Sequence, residues 1–215
     1  MAGGQVAVID YGMGNLHSVA KALEHVAPKH RVVISGEPSV IDAAERVVFP
    51  GQGAMPDCMA HLAESGLTAA LLRAAQSRPL LGVCVGEHML LEESDESADG
   101  TPTPGLGLIK GRVQRLGQYL DAGRPLKVPH MGWNRVEQAK NHPIWAGIEN
   151  CSWFYFVHSF YAVCADEADV AATTDYGLRF TCAIARDNIF ATQFHPEKSA
   201  SMGLKLYENF VHWNP

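Results

Sequence analysis

The chain has 215 residues, of which 47% are hydrophobic and 19% charged, and its formal net charge is −6. This composition is typical of a globular protein with a sizeable core, and the negative charge argues against nucleic acid or an anionic membrane as the main partner. The five cysteines show no CxxC spacing, which favours reduced thiols over a disulfide framework or a zinc site. No apolar run approaches the roughly 20 residues that span a bilayer, and no secretory signal opens the chain, so we expect a cytoplasmic protein.

Short apolar strands alternate with helical patterns in the first half of the chain. The strand "QVAVID" (5–10) is followed by a glycine-rich turn and the helical pattern "HSVAKALEHV". Three further strands follow, "RVVIS", "RVVFP" and "PLLGVCV", and "HLAESGLTAALLRAAQS" predicts one long helix between the last two. Parallel strands joined by crossover helices are the economical topology, so the pattern predicts an α/β fold with a mostly parallel sheet flanked by helices.

The second half is richer in β-strand patterns. The polar segment "EESDESADGTPTPG" (92–105) predicts a surface loop. Short β-rich runs then predict further strands of the sheet, and "SASMGLKLYENFVHW" predicts a closing helix. These runs are "GLGLIKGRVQRL", "FYFVHSFYAV", "VAATTDY", "FTCAIARD" and "IFATQFHP". We find no linker or repeat, and we expect residues 1–215 to form one domain.

Cys84 stands in "LLGVCVGEHMLLEES" (80–94), where an apolar run meets a helical pattern. A strand ending at Val83, glycines at Gly82 and Gly86, and a helix beginning near Glu87 predict a sharp turn that exposes a nucleophile at its apex. A helix N-terminus also favours a thiolate and can bind a developing oxyanion. The alternative is that Cys84 is a small buried thiol of the core, as most free cysteines are.

A nucleophilic cysteine needs a base, and the base needs a group that orients it. His195 lies in "ATQFHPEKS", with Glu197 two residues further on, and Pro196 between them forces a bend. The carboxylate of Glu197 could then hold the tautomer of the imidazole. The alternative is a surface histidine beside a solvated glutamate.

Taken together, Cys84, "QFHPE" and the early segment "PGQGAMPD" (50–57) resemble the class I glutamine amidotransferases. Within that family, further motifs are similar to those of the glutaminase subunits of imidazole glycerol phosphate synthases, which serve histidine biosynthesis. These motifs are "VIDYGMGNLHSV" (8–19), "VPHMGWN" (128–134), "FVHSFY" (156–161) and "QFHPEKS" (193–199). The resemblance covers nearly the whole chain.

The resemblance implies a catalytic triad. Cys84 would attack the side-chain carboxamide of glutamine, His195 would protonate the leaving ammonia and then activate a water, and Glu197 would orient His195. The resemblance requires no metal and no organic cofactor. The oxyanion would be held by the backbone N–H of Val85 and by one from the loop Gly51-Gln52-Gly53, which we expect to be that of Gln52. A tight turn after a strand explains this loop equally well.

The resemblance also implies residues that bind the substrate. Ser159 and Phe160 are expected near the amino-acid moiety of glutamine. His88 occupies a position where the family typically has a glutamine that helps to hold the substrate, so this imidazole either substitutes for the glutamine or weakens binding. Gln52 stands where the family commonly has an apolar residue.

A partner is implied as well. In the resembled enzymes, ammonia passes to a separate (β/α)8 cyclase subunit, which makes imidazole glycerol phosphate and an aminoimidazole carboxamide ribotide. We expect Asn15, Met131, Trp133 and Asn134 on the face that docks this cyclase in a heterodimer. Tyr155 and His158 would lie near the ammonia exit, although residues of an aromatic strand are often core.

Two other classes of function stay open. A stand-alone cysteine hydrolase of γ-glutamyl compounds would share Cys84 and His195 but has no reason to keep "DYGMGN" or "PHMGWN". A binding subunit without catalysis would normally lose part of the triad, and His88 is the one feature that favours it.

Overall fold

Five parallel strands form one half of the sheet. In the computed structural model, which describes residues 4–97, 99–117, 120–121 and 124–215, they lie in the order β2-β1-β3-β4-β15. Their bounds are β1 (Gln5–Ile9), β2 (Arg31–Ser35), β3 (Arg46–Gly51), β4 (Leu80–Cys84) and β15 (Ile189–Thr192). Every residue of β3, β4 and β15 is buried, as expected for parallel strands that are covered on both faces.

Six α-helices in the described part of the chain accompany the sheet. They are α1 (Leu16–Val26), α2 (Pro38–Ala43), α3 (Met55–Glu64), α4 (Thr68–Ser77), α5 (Val85–Leu90) and α6 (Ala200–His212). Helix α1 packs against α6, α2 against α4, and α3 against α5. Strands and helices both supply large side chains to the core, including Phe49, Phe190, Tyr207 and Phe210. None of the helices in the described ranges has the length and apolar character that crossing a membrane requires.

The single long helix predicted for 61–77 is wrong, because the chain breaks between α3 and α4. Gly66 follows the end of α3 with φ +71°, a left-handed conformation that terminates a helix and that glycine adopts without strain. The hydroxyl of Ser65 donates to the carbonyl of Leu62, and its oxygen accepts the N–H of Leu67. The apolar periodicity continues across this break, so it could not reveal the turn.

The later strands extend the sheet past β15, as the sequence predicts. The order continues β14-β12-β7-β5-β6, and a branch runs from β14 through β13 and β10 to β11. Their bounds are β5 (Glu93–Ser94), β6 (Thr103–Pro104), β7 (Gly111–Arg115), β10 (His130–Gln138), β11 (Ser152–His158), β12 (Phe160–Cys164), β13 (Val170–Asp175) and β14 (Arg179–Arg186). Two short strands, β8 (Leu120–Asp121) and β9 (Arg124–Pro125), form a separate hairpin.

Two predictions about this half need correction. The polar segment 92–105 is not only a loop, because it contributes β5 and β6 to the edge of the sheet. The run "FYFVHSFYAV" is two strands, β11 and β12, with Ser159 alone between them. Such short pairings depend on distant partners, which the local pattern does not contain.

The strand order determines where the chemically interesting residues meet. Strands β3, β4 and β15 are neighbours and parallel, so their carboxyl ends lie at one edge of the sheet. Gly51 ends β3 and Cys84 ends β4, while the segment that carries His195 follows β15. Crevices at the carboxyl ends of parallel strands are common binding sites.

Candidate active site

Cys84 lies at the apex of a tight turn from strand to helix. It is the last residue of β4 and precedes α5, with φ 56° and ψ −116°. Positive φ is uncommon for a residue with a Cβ atom and stores backbone strain. Helix α5 begins at Val85, two residues earlier than expected. A Cβ atom on Gly86 would come within 2.0 Å of the carbonyl oxygen of Phe49, so only glycine fits there.

The expectation that Cys84 is exposed is wrong. Its surface is 5% exposed, and it lines a cavity of about 280 Å³. The physical reason is that other segments close around the turn: the loop after β3, the junction of β11 with β12, and the segment after β15 all contribute to the wall. The residues that line the cavity are Gln52, Gly53, Cys84, Val85, His88, Glu96, Pro129, Val157, His158, Ser159, Phe160, His195 and Lys198.

His195 and Glu197 form a buried pair beside this cavity. The Nδ1 atom of His195 donates to Oε1 of Glu197 at 2.8 Å, and the side chains are 7% and 1% exposed. The hydroxyl of Tyr207 on α6 donates to the other carboxylate oxygen of Glu197 at 3.3 Å. The backbone N–H of His195 donates to the carbonyl of Tyr155 on β11 at 2.9 Å. A solvated surface pair, the alternative left open by the sequence, is therefore excluded.

The charge state of His195 follows from its neighbours. Burial opposes its positive charge, but Cys84 and Glu197 outweigh burial and raise the pKa of His195 to about 10. Its Nε2 atom is buried, and the side chain of Cys84 raises the pKa of His195 both through its charge and through a hydrogen bond. Because Nδ1 of His195 is bound to Glu197, Nε2 is the ring nitrogen that faces Cys84.

The loop Gly51-Gln52-Gly53 lies against the start of α5. Gly51 is opposite Cys84 in the register of β3 and β4, and a Cβ atom on Gly51 would come within 2.7 Å of the backbone nitrogen of Gly86. Gly53 has φ +97°, and its neighbour Gln52 accepts a hydrogen bond at its carbonyl from the thiol of Cys58 at 3.3 Å. Two backbone segments, at Val85 and at Gln52, therefore border the cavity next to Cys84.

His88 is a neutral buried side chain in the cavity wall. Its Nε2 atom lies 2.7 Å from Oε1 of Gln193, and burial lowers its pKa to about 4. Because the amide oxygen of Gln193 only accepts, Nε2 of His88 carries the proton. Its Nδ1 atom is left as a buried acceptor, unpartnered within the described part of the chain.

Four wall residues were not among the sequence predictions: Glu96, Lys198, Pro129 and Val157. The carboxylate of Glu96 accepts the N–H of Met55 at 2.8 Å, and burial raises its pKa. Glu96 and Lys198 give the cavity opposite charges, which suit the ammonium and carboxylate groups of a free amino acid. Lys198 stands in the motif "QFHPEKS", which could have marked it, whereas Glu96 is one acidic residue among several in a polar tract.

Tyr207 was missed for a different reason. It is a fully buried member of the apolar stripe of α6, so the sequence pattern indicates only a core position. Its hydrogen bond to Glu197 exists because α6 packs against the segment after β15.

The residues expected on a docking face lie in two places. Met131 and Trp133 on β10 are 63% and 49% exposed, and Trp153 on the adjacent β11 is 50% exposed. Asn134 points to the other face of β10, where its Nδ2 atom donates to the carbonyl of Asp175 at 2.8 Å. Asn15 instead precedes α1, and a Cβ atom on its neighbour Gly14 would lie 3.5 Å from the side chain of Pro50.

Known proteins resemble this chain over its full length. Imidazole glycerol phosphate synthase subunit HisH of Dechloromonas aromatica strain RCB is 57% identical, with 100% of this chain and 99% of that protein covered. The subunit of the same name from Methylococcus capsulatus is 58% identical, with 98% and 97% covered.

Solved structures share the fold. The structure of PurLQS from Thermotoga maritima has a TM-score of 0.74 at 18% identity, with 98% of each chain covered. A crystal structure of a glutamine amidotransferase has a TM-score of 0.70 at 18% identity, with 96% of this chain and 97% of that chain covered. The family model for glutamine amidotransferase class-I matches residues 7–213. The α/β fold and the family resemblance are thus confirmed, and the chain belongs to the class-I glutamine amidotransferase family.

Proposed function

We propose that this chain is the glutaminase subunit of an imidazole glycerol phosphate synthase and that it acts in histidine biosynthesis. The observation that carries the proposal is Cys84 on a strained turn beside a buried His195–Glu197 pair. The full-length similarity to HisH subunits supports the choice of this synthase among the amidotransferases. We assign residues 1–215 to a single glutamine amidotransferase domain, and we place its reaction in the cytoplasm.

The proposed reaction starts with glutamine in the cavity. The thiolate of Cys84 attacks the carboxamide carbon, and the negative charge that develops on its oxygen is held by the backbone N–H of Val85 and one from the loop at Gln52. Protonated His195 gives its proton to the leaving nitrogen, and ammonia departs to leave a glutamyl thioester. His195, now neutral, takes a proton from water, and the hydroxide so formed attacks the thioester carbon, which releases glutamate and restores the Cys84 thiolate beside protonated His195.

The cavity supplies the binding groups for this substrate. Ser159 and Phe160 face the amino-acid moiety, and Glu96 and Lys198 match its ammonium and carboxylate charges. His88 lines the cavity in place of the glutamine that the family typically has, and its side chain is held by Gln193. Gly51 lets the loop approach the start of α5 closely enough for Gln52 to reach the oxyanion. These roles need no metal and no organic cofactor.

The released ammonia goes to a partner. We propose a (β/α)8 cyclase that converts a phosphorylated ribulosyl aminoimidazole carboxamide compound and ammonia into imidazole glycerol phosphate and an aminoimidazole carboxamide ribotide. Met131 and Trp133 supply exposed apolar surface for docking. Tyr155 contacts the ring of Trp133, and His158 lines the cavity. Asn15 follows Gly14, which lies near Pro50 at the end of β3. Asn134 supports this face from within, because its side chain bonds to Asp175.

Neither alternative is favoured by a particular observation. Both full-length relatives described above are named as subunits of imidazole glycerol phosphate synthase, and neither is named as a γ-glutamyl hydrolase or as a subunit without catalysis. The buried and hydrogen-bonded His195–Glu197 pair is typical of a working site rather than of a degenerate one.

Glutamate release by the chain alone, with the cyclase, and with the cyclase plus acceptor tests the proposal. The loop at Gln52 is a glycine-flanked turn, so its N–H can rest away from Cys84 until docking favours the other orientation. Loss of one oxyanion donor costs roughly 100- to 1,000-fold in rate, so we expect the free chain to be slower by about that factor. A free chain within a few-fold of the full complex would instead identify a stand-alone hydrolase, and no activity in any mixture would identify a binding subunit.

A further inference from the structure

His130 and His158 stand directly opposite each other on the antiparallel strands β10 and β11. Both side chains are buried, with ring centroids 5.0 Å apart, and Nδ1 of His130 lies 2.9 Å from Nε2 of His158. Strand alternation places them on the face opposite Met131 and Trp133. His158 lines the cavity, and His130 supports it from behind.

The protons of this pair can be assigned from its hydrogen bonds. Nδ1 of His158 lies 2.8 Å from the carbonyl oxygen of Phe160, which only accepts, so Nδ1 carries a proton. Burial lowers the pKa of His158 to about 3, so the ring is neutral and its Nε2 accepts. His130 must then donate from Nδ1. Burial lowers its pKa to about 4, so its own Nε2 faces the Nδ2 group of Asn134, at 3.4 Å, as an acceptor.

These bonds hold the wall of the cavity in place. Ser159 is the single residue between β11 and β12, and the bond from His158 to the carbonyl of Phe160 spans it. The same segment forms the part of the wall where the amino-acid moiety of glutamine is expected. The conformation at Ser159 therefore depends on the orientation of the His158 ring.

His130 is itself held by ring contacts. Its imidazole stacks on Tyr176 with centroids 4.0 Å apart and on Phe156 at 4.9 Å. The hydroxyl of Tyr176 donates to the carbonyl of Lys127 at 2.9 Å. A ring fixed in this way offers its Nδ1 proton in one direction only.

The pair does not serve as an acid or base. Burial is the main cause of the low pKa of His158, and the positive charge of the nearby His195 lowers it further. Both ring nitrogens of His158, however, already have hydrogen-bond partners within the protein. The role that remains is to hold the chain.

We propose that His130 is a positioning residue for glutamine: by donating to His158 it fixes the turn at Ser159 against which the substrate binds. This inference rests on the proposed function, because it concerns the same substrate. On this proposal, loss of the hydrogen bond from His130 weakens the binding of glutamine and leaves the chemical step at Cys84 unchanged. The loss of one such bond corresponds to about fivefold to tenfold in affinity.

The test uses the complex with the cyclase and two substitutions that separate hydrogen bonding from packing. His130→Phe keeps the ring stack and removes the donor, whereas His130→Asn keeps a donor near the place of Nδ1 and removes the ring. In a Cys84→Ser background, calorimetry measures glutamine binding without turnover. We expect about fivefold to tenfold weaker binding for His130→Phe and a change within about twofold for His130→Asn. With Cys84 present, KM for glutamine should rise in His130→Phe while kcat stays unchanged.

A spectroscopic measurement on the unsubstituted chain keeps the inference falsifiable if a variant fails to fold. In nitrogen-15 spectra of the histidine rings, His130 and His158 should both appear as neutral Nδ1–H tautomers. An Nε2–H tautomer at either ring overturns the inference, as does unchanged binding by His130→Phe or equal weakening by both variants. If Cys84→Ser with His130 intact binds no glutamine at all, the proposed function fails instead.

Discussion

The edge of the parallel sheet with the proposed triad of Cys84, His195 and Glu197, the catalytic edge, differs in construction from the exposed face of β10 and β11. At the catalytic edge, Cys84 has a strained backbone and His195 and Glu197 are buried and hydrogen-bonded. On the exposed face, Met131 and Trp133 leave large apolar surfaces open to solvent. The first region depends on the placement of a few polar atoms and the second on apolar area. A substitution on the exposed face should therefore change the affinity for the cyclase but not catalysis at saturating cyclase, and one at the catalytic edge should change catalysis but not docking.

The largest expected effect is that of Cys84→Ser at the catalytic edge. It should reduce glutamine-dependent synthesis by the complex by more than about 1,000-fold, because only the nucleophile is lost. Synthesis from added ammonium salts should be unchanged, since the docking face and the cyclase are untouched. Steady-state assays with each nitrogen source measure both quantities. Equal glutamine-dependent activity in the variant would contradict the assignment of the nucleophile.

Trp133→Ala tests the exposed face. Truncating a central interface tryptophan typically costs about 2 kcal/mol, so the Kd for the cyclase should rise about 30-fold. The kcat for glutamine at saturating cyclase should not change. Calorimetric titration of the cyclase into the chain gives the Kd.

Trp153→Ala is the matched control for that prediction. Trp153 is as exposed as Trp133, but the guanidinium of Arg135 already lies 5.2 Å from its ring centroid. We expect a smaller change in Kd than for Trp133→Ala. An unchanged Kd in both variants would place the docking face elsewhere.

Glu87→Gln tests the effect of burial at the catalytic edge. The carboxyl of Glu87 is fully buried, and neither of its oxygens has a hydrogen-bond partner among the described residues. Burial, and then the charge of Cys84, raise the pKa of Glu87 well above its ordinary value of 4.5. The folded state therefore holds this proton more tightly than the unfolded state. As pH rises above about 4.5, this group lowers the free energy of unfolding, by at most about 1.4 kcal/mol per pH unit.

The glutamine variant removes this titration. The free energy of unfolding of the variant, relative to that of the unsubstituted chain, should therefore increase as pH rises from 5 to 8. The two free energies should be most similar at pH 5. Urea unfolding at each pH measures the difference. Glu64→Gln, at an exposed position of α3, should show no such trend. Parallel pH profiles for Glu87→Gln and the unsubstituted chain would show that Glu87 is charged in the fold.

The smallest expected effect belongs to His88→Gln. If His88 is a weakened contact to the substrate, restoring the amide should lower KM for glutamine about fivefold, the value of roughly one hydrogen bond. The kcat should change little, because Cys84 and His195 are unaffected. An unchanged or higher KM would mean that His88, held by Gln193, is a competent substitute or lies outside the substrate's reach.

Much of the catalytic edge could be predicted because its information is local. A cysteine between two glycines, at the junction of a strand with a helix, requires a tight turn whatever the rest of the chain does. His195, Pro196 and Glu197 are likewise close in sequence. The hydrogen bond from Tyr207 to Glu197 could not be predicted, because it joins α6 to the segment after β15 through packing.

The fold shows the same division. The parallel strands were predicted because each apolar run is long enough to indicate a strand without information from distant residues. The break at Gly66 was not, because apolar spacing is similar on both sides of a left-handed residue. The short strands β5 and β6 were missed because they are strands only where a distant edge, at β7, pairs with them.

By itself, the sequence determined the α/β fold, the family and the candidate triad, since these depend on residue order and on backbone requirements within short segments. Only the tertiary structure decided that Cys84 is buried, that the neighbours of His195 raise its pKa, and that His130 is hydrogen-bonded to His158. The physical reason is that burial and charge depend on everything packed around a group. Residues far apart in sequence supply most of those neighbours.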